Sequence, residues 1–175
     1  RTSRTPIREA LMLLEKEGLV QIPPRRRPRV ALLAMEEVRE IYQARAALFD
    51  LIATAVARNA STGDIATLRA PLSEMERAFH DEDLNAFVWA NVDFYDRNTQ
   101  LANNRTVKRI LDSLLLRTLR LRRLSLSQPD RMQASLDDNA RLLKAYENRD
   151  ARLAAALISS NHMNALAALE KCLPR

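Results

Sequence analysis

The chain is poor in the residues that punctuate and cross-link a fold. Its 175 residues include two glycines, one cysteine, two histidines and eight aromatics. The lone Cys172 has no internal partner for a disulfide, and no uninterrupted apolar run approaches the roughly 18 residues that a membrane-spanning helix needs. Isolated histidines, a late cysteine, no phosphate-cradling glycine loop and no motif of paired carboxylates leave nothing for nucleophilic, metal or general acid–base chemistry, so an enzyme is not expected. The lone thiol favours the cytoplasm. What is abundant is Ala, Leu and Arg, with 47% hydrophobic residues. That composition predicts a mainly α protein with long helices, short connections and enough apolar material for a core.

Net charge is +6, and its placement is informative. Residues 1–35 carry eight bases against three acids, whereas the remaining 140 carry twenty against nineteen. Affinity for phosphates therefore belongs to the N-terminal segment, either as a nucleic-acid interface or as a solvated basic face.

That segment opens with Ser3-Arg4-Thr5-Pro6-Ile7-Arg8-Glu9-Ala10-Leu11. Ser3 or Thr5 can cap a helix, Pro6 suits its first position, and Glu9 lies in its early turns. Ile7, Ala10, Leu11 and Leu14 form an apolar stripe predicted to be buried, which leaves Arg4, Thr5 and Arg8 outward. Gly18 closes the helix. Leu19 to Ile22 reads as a strand, Pro23 to Arg29 as a basic tip, and Val30 to Leu32 as the returning strand. Helix, strand, tip and strand make part of a winged helix. Arg4 and Arg8 are the expected base readers, with Ser3, Thr5, Arg25, Arg26 and Arg27 as phosphate contacts.

At these residues a resemblance becomes specific. The run S-R-T-P-I-R-E-A-L, followed by L-E-K-E-G-L-V-Q-I-P-P-R-R-R-P-R-V-A, resembles the end of the winged helix-turn-helix of GntR-family transcription regulators. The segment after it is similar to the FCD effector domain of that family's FadR-like branch. The resemblance implies a partial winged helix-turn-helix over 1–34, lacking a first helix and most of a second, then an all-α antiparallel bundle of about six helices over 35–175. It further implies a dimeric repressor that binds a double-stranded operator and senses a small carboxylate. The family usually has Gly where Arg27 stands. A helical ligand-binding or dimerisation module without DNA binding is the alternative. An RNA-binding helical protein fits the charge but lacks aromatic interleaving.

The periodicity predicts helices over about 36–60, 64–80, 84–102, 105–127, 130–148 and 151–172. In the first, Arg45 interrupts an apolar stripe of Val38, Ile41, Leu48 and Ile52. Buried arginines need a partner, either an internal carboxylate or a bound anion. In the family an acid often follows that arginine by four residues; here Phe49 stands there. Arg117, Arg120 and Arg123 form a row expected to be solvated or ion-paired. Asn91, Asn139 and Asn161 each interrupt an apolar stripe, with Tyr95 one turn after Asn91, so the amides satisfy one another, water or a ligand, or a stripe faces solvent. A polar chamber within the bundle is the inference drawn. The resemblance aligns Asn91, Tyr95, Asn139 and Asn161 with the FCD domain's divalent-metal positions. Amides and a phenol are poor ligands for zinc or nickel, so no metal cofactor is expected. His162, one step and about 100° around the helix from Asn161, becomes a ligand only with a shifted alignment. The effector site is therefore expected at Arg45, Asn91, Tyr95, Asn139 and Asn161.

Overall fold

The computed structural model describes residues 4–16, 18–31 and 33–173. The chain falls into two compact units, Arg1–Ala34 and Met35–Arg175.

The smaller unit contains α1 (Arg4–Lys16), β1 (Val20–Gln21) and β2 (Arg29–Val30). Thr5 is the second residue of α1 rather than its cap, and Pro6 is the third, still within the first turn where backbone N–H groups have no intrahelical acceptor. Gly18 lies just beyond the helix end, and its φ of 70° is cheap for a residue without Cβ. Gly18 N donates to Glu15 O and Leu19 N to Leu14 O, both at 2.9 Å, the paired bonds of a Schellman cap. The strands pair antiparallel, Val20 with Val30 and Gln21 with Arg29, and are shorter than the apolar alternation predicts. At the tip Arg26 N donates to Pro23 O at 3.2 Å, and Arg25 takes φ of 60°. The left-handed position of the turn is thus Arg25, two residues before Arg27. The apolar stripe of α1 departs from expectation: Ile7 is 50% and Leu14 37% exposed, and Ala10 is also exposed. A short hairpin is too small to cover a helix face, so among the described residues of this unit the stripe stays open except at Leu11, which is half-buried.

The larger unit is a bundle of α2 (Met35–Asn59), α3 (Thr62–Ala66), α4 (Arg69–His80), α5 (Leu84–Leu101), α6 (Arg105–Leu126), α7 (Arg131–Glu147) and α8 (Ala151–Cys172). The helix expected over 64–80 is two helices. Pro71 is the reason: inside a continuous helix it would lose its bond to Thr67 and press its ring on that carbonyl, whereas three residues into α4 it has no such bond to lose. Ser61 caps α3 in a reciprocal box with Asp64, and Asp83, Asn104 and Asp150 cap α5, α6 and α8 through side-chain oxygens 2.9–3.1 Å from backbone N–H groups. Arg149, between α7 and α8, donates to the Ala60 and Ala57 carbonyls and so satisfies the end of α2. α2 packs chiefly against α8, and α4 against α5. The core is built from Phe49, Ile52, Leu68, Met75, Phe87 and Phe94 with Leu142, Tyr146 and Ile158. No helix among the described residues is long and apolar enough to cross a membrane.

Candidate functional site: an arginine-lined chamber in the bundle

α2 carries Tyr42 and Arg45 one turn apart, α5 carries Asn91 and Tyr95, α6 carries Thr118, Arg122 and Ser125, α7 carries Arg131 and Ser135, and α8 carries Asn161 and His162. All of them line one cavity. Helical spacing produces this set, since each pair or triplet recurs at three, four or seven residues and so shares a face; Asn161 and His162 are neighbours straddling theirs. The space open to the centre of a water-sized sphere is about 30 Å³.

The electrostatics are one-sided. Arg45 is 4% exposed, and it makes no hydrogen bond or ion pair within 4 Å to any described side chain. Its Cζ lies 5.2 Å from the centre of the Phe49 ring, a cation–π contact in place of a carboxylate. Burial, and then the charge of Arg122, pull its guanidinium down to about 10, so it stays charged at neutral pH. Arg122 donates to the Asn91 amide oxygen and lies 5.1 Å from the centre of the Tyr95 ring. Its residue surface is only partly buried, yet its Nε is sealed from solvent and unpartnered, as is that of Arg131. Burial lowers both groups, and Asp138 offsets this partly for Arg131. Three guanidiniums therefore meet at one cavity, and none forms an ion pair with a described carboxylate.

The neutral groups complete a donor-rich wall. The Tyr95 hydroxyl is buried without a partner, and burial pushes its ionisation up to about 12, so it keeps its proton to donate. Asn91 Nδ2 is 3.4 Å from Ser135 Oγ, and Asn161 Nδ2 donates to Asp138 at 3.3 Å. His162 Nδ1 is 2.8 Å from the Ile158 carbonyl oxygen, which makes Nδ1 the protonated nitrogen and leaves Nε2 as an acceptor. Its ring stacks on Phe49 with centroids 4.7 Å apart.

Burial, with Arg45 adding to it, holds the His162 imidazole down at about 3. This is a depressed group, so between pH 6.5 and about 3 the unfolded chain binds a proton that the folded one refuses, and stability is lost as pH falls through that window. Denaturant titrations at about pH 7 and about pH 5.5 are expected to differ by about 1 kcal/mol more in the native protein than in His162→Gln. Equal differences would remove His162 from the buried, neutral class.

Of the expected effector residues, the structure brings Arg45, Asn91, Tyr95 and Asn161 to the cavity. Asn139 is buried but does not line it; its Nδ2 lies 3.9 Å from Met75 Sδ, which also meets the Asn91 amide at 4.0 Å. Tyr42, Arg122, Arg131, Ser125, Ser135 and His162 line the cavity without being expected to. A signal for Arg122 does exist in Thr118, Arg122 and Ser125 at i, i+4 and i+7, a polar stripe beside the basic row. That row behaves as expected: Arg117 pairs with Glu37 across to α2, while Arg120 and Arg123 are exposed. In the smaller unit Thr5, Arg8, Arg25, Arg26 and Arg27 are exposed, whereas Ser3 and the side chain of Arg4 lie outside the described residues.

The donor set suits an anion. With Asn91 and Asn161 already engaged and three cations around the space, the residues at the FCD metal positions do not fit a divalent metal ion. Guanidiniums, a protonated phenol and amides match a carboxylate, which accepts a bidentate pair from arginine.

Residues 40–165 match the FCD domain family. The chain is 30% identical over 166 residues to YdhC of Bacillus subtilis (strain 168), an uncharacterised HTH-type transcriptional regulator, covering 91% of this chain and 73% of YdhC. It is 26% identical over 148 residues to the HTH-type transcriptional repressor RspR of Escherichia coli (strain K12), covering 85% of this chain and 65% of RspR. The solved structure of E. coli McbR/YncC shares the fold with a TM-score of 0.85 at 22% identity, over 99% of this chain and 87% of that one. GntR-family regulators among the solved structures share it too. The chain belongs to the FCD-domain transcription regulators of the GntR family.

Proposed function

We propose that this chain is part of a metal-independent repressor whose helical unit senses a small carboxylate and whose winged-helix unit binds an operator as a homodimer. The observation that carries the sensing half is the meeting of Arg45, Arg122 and Arg131 at a cavity where none forms an ion pair with a described carboxylate. Leaving a buried charge uncompensated costs several kcal/mol, so an anionic ligand is the natural complement. Arg45, Arg122 and Tyr95 grip its oxygens, with Asn91 and Asn161 setting the polar wall; Asn139 acts behind them through Met75.

Support for the DNA-binding half is the basic N-terminal segment, with Thr5 and Arg8 outward on α1 and Arg25, Arg26 and Arg27 at the wing tip. Arg4 and Ser3 complete the set by their place in the motif. RspR being a repressor supports the direction. Effector binding then shifts the spacing or mobility of the paired winged helices, with a coupling of about 1–3 kcal/mol.

Operator binding is measured by fluorescence anisotropy across salt concentrations. Arg8→Ala is expected to weaken specific binding and relax discrimination at one base pair, by about 1–3 kcal/mol. Truncating Arg25 to Arg27 is expected to flatten the salt slope by about 0.9 for each phosphate that is no longer neutralised. Unchanged affinity in both variants would sink the assignment of α1 and the wing tip as the DNA interface, and an absence of specific binding by the native protein would favour a ligand-binding or dimerisation module without DNA binding.

A further inference from the structure

The inner chamber does not end at its own wall. Arg45, Tyr95 and Arg122 also line a second, larger cleft between α2, α5 and α6, with about 510 Å³ open to the centre of a water-sized sphere. The floor of this cleft is apolar, formed by Phe49, Val92, Leu111, Leu115 and Trp89, and Trp89 is 54% exposed. Its rim holds Asp93, Asp96 and Asp112, which pair with Arg97 and Lys108 at 2.8–3.0 Å. We infer that the effector is an anion with a neutral, apolar body: its single charged end enters the arginine chamber and its body lies in the outer cleft against Trp89 and Phe49. The inference rests on the anion-binding reading of the inner chamber and deepens it.

Three observations point the same way. The inner space, about 30 Å³, admits two or three water-sized groups, which is the size of a carboxylate head and not of a whole metabolite. The outer cleft falls in the size range of small-molecule sites, with an apolar floor set among polar and charged side chains. Two buried donors on residues that line both spaces, the Tyr95 hydroxyl and Arg122 Nε, have no partner among the described residues, so a head group that turns these side chains toward it would satisfy them. The rim also selects. Its cations, Arg97 and Lys108, are already paired with Asp93, Asp96 and Asp112, so among the described residues the rim leaves no free cation for a second negative charge on the body, which favours an alkyl or aryl substituent.

Trp89 is the sole tryptophan, so its emission reports the outer cleft directly. The probes are acetate, phenylacetate and 4-phenylbutyrate, titrated calorimetrically and by Trp89 fluorescence on the full chain. Expected is binding of 4-phenylbutyrate at least about 10-fold tighter than acetate, with a shift of Trp89 emission that acetate does not produce. Trp89→Ala, at an exposed position, is expected to reduce that ratio several-fold and leave acetate affinity unchanged. Equal affinities across the series with silent Trp89, while acetate binding still depends on Arg45, would overturn the outer-cleft assignment and leave the anion chamber standing. Failure of all three probes to bind would overturn both.

Discussion

Replacing Arg45 by methionine is expected to stabilise the ligand-free protein by about 1–3 kcal/mol while abolishing its response to carboxylates. Two opposing terms decide the sign. The guanidinium gains from its contact with the Phe49 ring, 5.2 Å from Cζ to the centroid, which contributes at most about 2 kcal/mol when desolvated. Against this stands the burial of a charge 4% exposed, unpaired and repelled by Arg122, which costs several kcal/mol. Methionine keeps most of the aliphatic stem and its packing, removes the charge, and relieves the repulsion on Arg122 as well. Thermal and denaturant unfolding with and without carboxylate separate the two effects. A destabilised Arg45→Met protein would mean that an internal partner compensates Arg45 after all.

Phe94→Ala is expected to cost about 3–5 kcal/mol, the usual range for deleting a buried aromatic ring. Phe94 is fully buried in the core, lies edge-on to Tyr95 with centroids 5.9 Å apart, and its carbonyl accepts from the buried Asn98 amide. A loss of that size is a large share of the roughly 5–15 kcal/mol by which a domain is ordinarily stable, and it loosens the turn that aims Tyr95 and Asn91 at the chamber. Leu116→Ala, at a position 56% exposed on α6, is the control and is expected to change stability by less than about 0.5 kcal/mol. Similar losses in the two variants would contradict the assigned core.

Phe94 also marks where sequence reasoning reaches its end. The stripe of Leu84, Val88, Asn91, Tyr95 and Asn98 is legible as one face of α5, yet Phe87 and Phe94 are as deeply buried beside it. α5 packs against α4 on one side and against α6 and α2 on others, so it is apolar around more of its circumference than a one-face pattern anticipates. Helix ends are readable wherever a side chain caps them, as at Asp83, Asn104 and Asp150, because capping is local chemistry. The break before α4 escapes such a reading because apolar spacing continues across Pro71 from Leu68 to Leu72 and Met75, and periodicity alone does not register a missing backbone donor.

The chamber is half legible for a related reason. Arg45 and the asparagines announce themselves as polar residues among apolar ones. Arg122 sits in the run R-L-R-R-L, where abundant arginines make a solvated row the natural reading; only its offset from Arg120 and Arg123 turns it inward. Tyr42, Ser125 and Ser135 are ordinary within their own helices and become site residues through packing between helices. On α1 the stripe is apolar as expected, but burial depends on a covering element, and a two-stranded hairpin does not supply one.

The sensing mode proposed for this regulator is a carboxylate held in the bundle directly, through guanidiniums, without a metal. Its most direct test is elemental analysis of the purified, unchelated protein by mass spectrometry, joined to a thermal-shift screen of small carboxylates before and after treatment with EDTA. Expected are no stoichiometric transition metal and a stabilisation by carboxylate that EDTA leaves unchanged. A stoichiometric metal, with stabilisation lost on chelation, would contradict it and make His162 Nε2 the first ligand to examine.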